Sequence, residues 1–311
     1  MAGVDDVTEG SADAAQCKGG NVQRTVHTRD GRTLAAEDCG DPAGRPVLVH
    51  MGTPNSRHLY GRNVRDAAER GLRLIGYDRR GYGESSPQPG RTVADCADDV
   101  RTICAELGID RLAMWGISGG GPHVLACAAL LPDLVTAAAA LASPAPYGAE
   151  GLDFFAGMGQ DNVDDMRLAL ADPAASRAKL EKDSAELLAT PPEEMAKAME
   201  SLLTPTDAAA LSGELAVYLA SSTHDGLAPG GQGWFDDDCM ITRPWGFDLA
   251  SIAVPVLLLH GRQDMFVPFS HGEWLAAHIP GVEAWFFEEE GHALRESHIV
   301  DVDAWLLDRW P

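Results

Sequence analysis

The sequence predicts an α/β protein in which helices cover both faces of a mostly parallel, eight-stranded sheet. Short apolar runs alternate with segments of helical periodicity along most of the chain, as expected for parallel strands joined by helices. The 311 residues suit one large domain, and the apolar fraction of 45% is ample for its core. The alternation stops at Ser143 and resumes near Pro255, which predicts a helical insertion.

Eight segments are predicted to be strands. Two alternating segments between Gln23 and Cys39 flank Asp30-Gly31, a dipeptide that favours a hairpin, so an antiparallel pair opens the sheet. The six apolar runs that follow are residues 46–50, 72–77, 112–115, 134–141, 255–260 and 282–287. The predicted helices between and after them are residues 59–70, 93–107, 124–131, 271–278 and 299–310.

Three parts of the chain are expected. Residues 1–20 are small, polar and acidic and are predicted to be a flexible N-terminal leader. Residues 21–143 and 246–311 form the sheet-containing core, and residues 144–245 form a helical insertion over the sheet. Within the insertion, helix starts are predicted at Asp172-Pro173, at Thr190-Pro191-Pro192-Glu193 and at Pro205-Thr206-Asp207.

Composition excludes several classes of partner. The 24 Lys and Arg residues against 47 Asp and Glu give a net charge of −23, which repels nucleic acid and anionic membranes. The N-terminus lacks the pattern of a signal peptide, and the six cysteines form no C-x-x-C pair. We therefore expect a cytoplasmic protein that acts on a small molecule, without a metal; the oligomeric state stays open. The run Asp236-Asp237-Asp238 is interpreted as solvated or as a helix start.

A serine stands between a predicted strand and a predicted helix, within Gly116-Ile117-Ser118-Gly119-Gly120. Such a sharp turn strains the serine backbone, so only glycines fit beside it, and the hydroxyl is held out above the sheet edge. Ser118 is therefore a candidate nucleophile. The pattern alone is weak evidence, because short glycine-serine motifs also arise by chance.

Two further loops carry the groups that a serine nucleophile needs, a base and an acid that orients it. Asp264 follows the strand that ends at His260, and His292 follows the strand that ends at Phe287. Loops at the carboxyl ends of parallel strands meet at one edge of the sheet. The sequence therefore predicts a Ser118, Asp264 and His292 triad, in the chain order expected for this architecture.

Together these residues resemble those of the α/β-hydrolases, and the likeness runs from Gln23 to Pro311. The resemblance implies the α/β-hydrolase fold with a helical cap, and a carboxylesterase-like serine hydrolase that cleaves an ester or related acyl bond without a cofactor. The motifs that carry it, besides the turn at Ser118, are Asp78-Arg79-Arg80-Gly81-Tyr82-Gly83, His260-Gly261-Arg262-Gln263-Asp264 with Val267-Pro268, and Gly291-His292.

The resemblance also implies an oxyanion hole made by two backbone amides. One belongs to Gly119, after the nucleophile, and the other to Thr53, in the loop after the third strand. That loop is usually written His-Gly-x-Pro, and here Met51 takes the place of the histidine. Because the donor is a backbone group, the hole can survive the change, but the bracing of the loop is left open.

Substrate-binding residues are not determined by these motifs. His123 follows the nucleophile closely at the helix start, and Trp234 and Trp245 lie at the exit of the insertion. Each is a candidate for lining a substrate pocket, and each could instead pack the fold.

Several activities share this pattern. Serine at the turn argues against haloalkane dehalogenases and epoxide hydrolases, which use aspartate there. Proline iminopeptidases resemble the chain in Asp78-Arg79-Arg80-Gly81 and in the insertion. Their oxyanion loop is richer in glycine, and carboxylates of their insertion bind the substrate's amino group. Cofactor-free haloperoxidase-like enzymes and C–C bond hydrolases also stay open. Outside enzymes, a hydrolase-fold protein that only binds a small molecule is the alternative.

Overall fold

The fold is described from a computed structural model, over residues 21–191, 194 and 203–311. The predicted leader lies outside these residues, as do Pro192 and Glu193 of one predicted helix start. Eight strands form a single sheet, as predicted. They are β1 (Asn21–His27), β2 (Thr33–Gly40), β3 (Arg45–His50), β4 (Leu72–Tyr77), β5 (Leu112–Ile117), β6 (Val135–Leu141), β7 (Val256–Gly261) and β8 (Glu283–Phe287).

The strand order is β1-β2-β4-β3-β5-β6-β7-β8. The β1–β2 hairpin turns at Asp30-Gly31, and β2 also runs antiparallel to β4. Every other neighbouring pair is parallel. The sheet is therefore mostly parallel, with β5 near its middle, and the loops that follow β3, β5, β7 and β8 leave the same edge.

Helices cover both faces of the sheet. Leu48, Met114 and Leu258 point to one apolar layer, and their strand neighbours Val49 and Leu257 point to the other, as the alternation along a strand requires. The helices are α1 (Gly61–Glu69), α2 (Cys96–Leu107), α3 (Gly121–Leu130), α4 (Gln160–Ala171), α5 (Pro173–Ala189), α6 (Pro205–Ala210), α7 (Gly213–Leu227), α8 (Gln232–Ile241), α9 (Phe269–His278) and α10 (Glu296–Asp308).

The chain between β6 and β7 carries helices α4 to α8, and its described residues contain no strand. Two predicted helix starts are confirmed. Asp172 accepts a hydrogen bond from the Ala175 amide at the start of α5, and Thr204 and Asp207 form a capping box at the start of α6. We call residues 144–245 the helical segment. Nowhere in the described residues is a helix both long and apolar enough to span a bilayer.

Strand register brings the four loops together in two pairs. His50 of β3 lies opposite Gly116 of β5, so the loop after β3 starts beside the turn at Ser118. Gly261 of β7 lies opposite Phe287 of β8, so the loops that contain Asp264 and His292 leave the sheet side by side.

Candidate active site

Ser118 has the strained backbone that the sequence predicts. Its φ angle is +54°, in the left-handed region that residues other than glycine rarely adopt. The flanking glycines are required by close packing. A Cβ atom at Gly120 would lie 2.0 Å from the carbonyl oxygen of His50, and one at Gly116 would lie 2.8 Å from that of Gly120.

Asp264 and His292 are hydrogen-bonded partners. Nδ1 of His292 lies 2.8 Å from Oδ2 of Asp264. The other carboxylate oxygen, Oδ1, accepts hydrogen bonds from the amides of Phe266 (2.9 Å) and Val267 (2.8 Å). The ring of Phe266 stacks on that of His292. The loop after β7 thus fixes the carboxylate, and the carboxylate fixes the imidazole with Nε2 left for another partner.

Asp264 and His292 each stabilise the charged form of the other. Burial alone would lower the pKa of His292, but the charge and the hydrogen bond of Asp264, with a smaller contribution from Asp207, raise it above its ordinary value. Burial alone would raise the pKa of Asp264, but His292 and His260 hold it below its ordinary value. The arrangement therefore favours a carboxylate beside an imidazole that readily takes up a proton.

The loop after β3 lies against the turn at Ser118. A Cβ atom placed on Gly52 would be 3.4 Å from Cβ of Ser118. One placed on Gly119 would be 2.4 Å from Oγ1 and 3.4 Å from the backbone nitrogen of Thr53. The backbones of Thr53 and Gly119 are thus close neighbours, which only a glycine at position 119 permits.

Arg79 holds this loop in place through hydrogen bonds. Its guanidinium donates hydrogen bonds to the carbonyl oxygens of Met51 and Gly52 and, over 3.1 Å, to Oγ1 of Thr53. Arg79 is paired in turn with Asp237 of α8, with 2.6 Å between Nη2 and Oδ2. The loop after β3 has Met51 where histidine is usual, and the side chain that braces it is Arg79, from the loop after β4.

Asp237 is the centre of a buried polar cluster. It accepts hydrogen bonds from Oγ1 of Thr53 at 2.6 Å, from the Tyr82 hydroxyl at 2.9 Å and from Arg91. Burial alone would raise the pKa of Asp237, but Arg79 and Arg91 hold it below its ordinary value. A carboxylate with this many charged and hydroxyl donors stays ionised when buried.

The interpretation of Asp236-Asp237-Asp238 as a solvated or helix-starting run is wrong. All three residues lie inside α8, and their exposed fractions are 4%, 0% and 6%. The sequence shows three adjacent acids but not their partners. Asp237 is stabilised by Arg79 and Arg91, which come from parts of the chain more than a hundred residues earlier.

Two cavities meet at Ser118, and both are bordered by Thr53. The larger, of about 480 Å³, also reaches Gly119 and runs along the helical segment. This volume is ordinary for a small-molecule site. The titratable residues among its described lining are all acids: Asp161, Asp165, Asp183, Glu186 and Asp238.

The smaller cavity has a volume of about 230 Å³ and reaches His292. Its walls are mostly apolar and come from both the core and the helical segment. They include Trp115, Leu203, Leu211, Leu215, Tyr218, Leu219, Leu294 and Ile299.

The three substrate-binding candidates differ in position. Trp234 lines the larger cavity. His123 and Trp245 are among the lining residues of neither cavity. His123 is buried and its Nδ1 lies 3.0 Å from the carbonyl oxygen of Gly119, while Trp245 is buried in the core beside Phe247. Among the described residues, no group of His, Cys, Asp or Glu is arranged to hold a metal ion.

One residue near His292 carried no functional signal in the sequence beyond its helix start. Asp207 of α6 is fully buried, and its Oδ1 accepts a hydrogen bond from the amide of Ala293 at 2.7 Å. The Thr204-x-x-Asp207 spacing indicates a capping box. The second contact depends on how α6 sits on the core.

Comparison with known proteins decides the family. A family model described as the alpha/beta hydrolase fold matches residues 45–298, most of the chain. The chain belongs to the α/β-hydrolase fold family. It is 29% identical to the AB hydrolase superfamily protein YisY of Bacillus subtilis over 86% of this chain and 91% of that protein. This α/β-hydrolase is thus a hydrolase by family, with the mostly parallel eight-stranded sheet that its sequence predicts.

Two further proteins are similar to this chain over different shares of its length. A probable proline iminopeptidase of Streptomyces coelicolor is 34% identical, but only over 34% of this chain and 35% of that protein. An esterase structure from Exiguobacterium antarcticum superposes with a TM-score of 0.68, 23% sequence identity, and coverage of 92% of this chain and 98% of that one. At that identity, the esterase supports the fold alone.

Proposed function

We propose that the protein is a serine hydrolase that cleaves an ester or related acyl bond of a small molecule. The observation that carries the proposal is the 2.8 Å contact between Asp264 and His292, with Ser118, at a φ of +54°, bordering the same cavity as His292. An oriented imidazole and a serine in a strained turn, both bordering one cavity, are the parts that nucleophilic catalysis requires.

In the first step, Nε2 of His292 takes the proton from Oγ of Ser118 as Oγ attacks the carbonyl carbon. Asp264 stabilises the imidazolium that forms. The amides of Gly119 and Thr53 hold the negative oxygen of the tetrahedral intermediate. When the intermediate collapses, the C–O bond of the ester breaks and His292 gives its proton to the leaving alcohol.

In the second step, water replaces the alcohol. His292 takes a proton from the water, the hydroxide attacks the acyl carbon, and the bond to Ser118 breaks as Oγ regains its proton. The acid product leaves, and the serine and imidazole return to their first state. No cofactor takes part in either step.

The two cavities suggest how a substrate lies in the site. A leaving group must reach His292, which borders only the smaller, apolar cavity. Gly119 borders only the larger one, which suits the acyl side. We therefore expect an apolar alcohol in the smaller cavity. The acyl chain then lies under the helical segment, which we propose acts as a cap with the boundaries predicted from the sequence.

Turnover of p-nitrophenyl acetate tests the proposal. Ser118→Ala should reduce it to the background rate, whereas Ser251→Ala, at an exposed serine away from both cavities, should leave it unchanged. A fluorophosphonate should label wild type and not Ser118→Ala. Undiminished turnover in Ser118→Ala would rule out this serine, and labelling without multiple turnover would favour a binding protein.

A proline iminopeptidase-like aminopeptidase is the second candidate, and the acid lining of the larger cavity favours it. Lys179 pairs with two of the lining acids, Asp165 and Asp183, but none of the described lining residues is itself a lysine, arginine or histidine. Asp238 is buried there, and burial, with the charges of Asp237 and Asp165, raises its pKa well above its ordinary value. A substrate ammonium group would relieve that cost.

Prolyl-naphthylamide, assayed beside short esters, separates the two activities. If the amine is recognised here, Asp238→Asn should lower kcat/KM for prolyl-naphthylamide by about 10- to 100-fold, the value of a charge-assisted hydrogen bond. It should leave p-nitrophenyl acetate nearly unaffected, as should the exposed control Asp110→Asn. No turnover of the amide by wild type would leave the esterase as the function. The cytoplasmic location stays a prediction.

A further inference from the structure

The helical segment contributes a buried carboxylate to the loop that carries His292. Both oxygens of Asp207 are occupied. Oδ2 accepts from the amide (3.2 Å) and the hydroxyl (2.8 Å) of Thr204, which closes the capping box, and Oδ1 accepts from the amide of Ala293 at 2.7 Å. One side chain therefore joins the start of α6 to the residue directly after the proposed base.

The fit around Asp207 is tight. The carboxylate lies against the backbone of Gly291, where a Cβ atom would be only 2.3 Å from Oδ2. Asp207 has no exposed surface and borders the smaller cavity together with His292. A capping carboxylate at a helix start needs none of this, because it is usually satisfied by its own helix and by water.

Burying a carboxylate is unfavourable unless a positive charge or several donors compensate for it. Among the described residues, the donors to Asp207 are neutral amides and a hydroxyl. The positive charge that would complete its environment arises during the reaction, when His292 becomes protonated. The charge of Asp207 contributes to raising the pKa of His292.

We propose that Asp207 is a positioning residue for His292, supplied by the helical segment. It holds the loop at positions 291–293 through the Ala293 amide and gives the protonated imidazole a second negative neighbour. The base is then fully assembled only when α6 is seated on the core. This inference rests on the serine-hydrolase function proposed above.

The other charged groups around His292, within the part of the chain that the structure describes, come from the core. Asp264 contacts Nδ1, and His260 lies 3.4 Å from the same carboxylate oxygen of Asp264. Glu290, two residues before His292, is paired with His298 at 2.8 Å and Arg295 at 3.2 Å. Asp207 is thus the acid that the helical segment adds to a core-derived pair.

The test is Asp207→Asn, which keeps an acceptor for the Ala293 amide and removes the charge. We expect the pKa of His292, read by NMR titration of its ring proton, to fall by about half a unit, less than the 1–3 units of a directly contacting charge. The acid limb of kcat/KM should move to lower pH by the same amount. The matched control is Asp172→Asn, which removes the charge of the exposed capping aspartate at the start of α5, outside both cavities, and it should move neither.

Gly291→Ala is a second variant that disturbs the contact between Asp207 and the loop of His292. It replaces Asp207→Asn in the test if that variant does not fold. Its methyl group would displace the Asp207 carboxylate and should lower the pKa of His292 in the same direction. An unchanged pKa in the variant that folds, or an equal shift in Asp172→Asn, would overturn the role. The NMR titration needs no ester turnover, so this failure is distinguishable from inactivity of wild type, which would contradict the proposed function.

Discussion

Arg79 and Asp237 form a buried ion pair, 2.6 Å between Nη2 and Oδ2, that joins the loop after β4 to helix α8. The same two side chains hold Met51, Gly52 and Thr53 through hydrogen bonds. In this protein the loop proposed to bind the oxyanion is therefore braced by the core and the helical segment together.

Removing the charge of Asp237 should be strongly destabilising. Asp237→Asn leaves Arg79 and Arg91 without their shared carboxylate, and breaking a buried ion pair in this way typically lowers the free energy of unfolding by about 3–5 kcal/mol. Urea unfolding followed by circular dichroism measures it. Asp133→Asn, at the exposed pair with Arg101, is the control and should unfold like wild type; equal stability of the two variants would contradict the bracing role.

Asp264→Asn should keep the fold and lose most activity. The asparagine oxygen can still accept from the amides of Phe266 and Val267, but its NH₂ group cannot accept the His292 Nδ1 proton. By analogy with the serine protease triad, whose aspartate-to-asparagine change is a known case, kcat should fall by about 10⁴-fold. Steady-state kinetics measure the loss of kcat, and a thermal melt shows whether the fold is kept. An active variant with an unchanged melting temperature would exclude Asp264 as the orienting acid.

Gly119→Ala should impair the proposed oxyanion site. The new methyl group would lie 2.4 Å from Oγ1 of Thr53, so the two backbones must separate. Loss of one oxyanion donor lowers kcat by about 100- to 1000-fold. The control is Gly61→Ala at the start of α1, where the methyl group meets only the Arg65 guanidinium at an ordinary 3.6 Å. A Gly119→Ala enzyme with full kcat would show that the hole lies elsewhere.

Activity should rise with pH through the pKa of His292. The base acts in its neutral form, and its pKa is raised, so the midpoint of the acid limb of kcat/KM should lie above the ordinary histidine value of about 6.5. The raised pKa of His292 affects stability in the opposite direction, so that this contribution to stability decreases as pH rises. Its stabilising contribution is complete below the unfolded-state pKa and is lost as pH rises through the folded-state pKa. A midpoint below the ordinary value would contradict the arrangement.

The sequence by itself determined the class of fold, and it predicted three members of the candidate site. Alternation of short apolar runs with helical segments specifies a parallel sheet, because strands covered on both faces are apolar throughout. Ser118, Asp264 and His292 could be predicted because each follows a strand, and strand ends meet at one edge whatever the details of packing. Strand limits agreed to within about two residues.

Only the tertiary structure decided how the loops are held. Asp207 and Asp237 both come from the helical segment, and their partners, Ala293, Arg79 and Arg91, are distant in the chain. In the sequence, Asp207 looks like a helix cap and Asp237 like part of an exposed acidic run. Local patterns record which face of a strand or helix is apolar. They do not record which donor a buried carboxylate meets, because that depends on how separate elements dock.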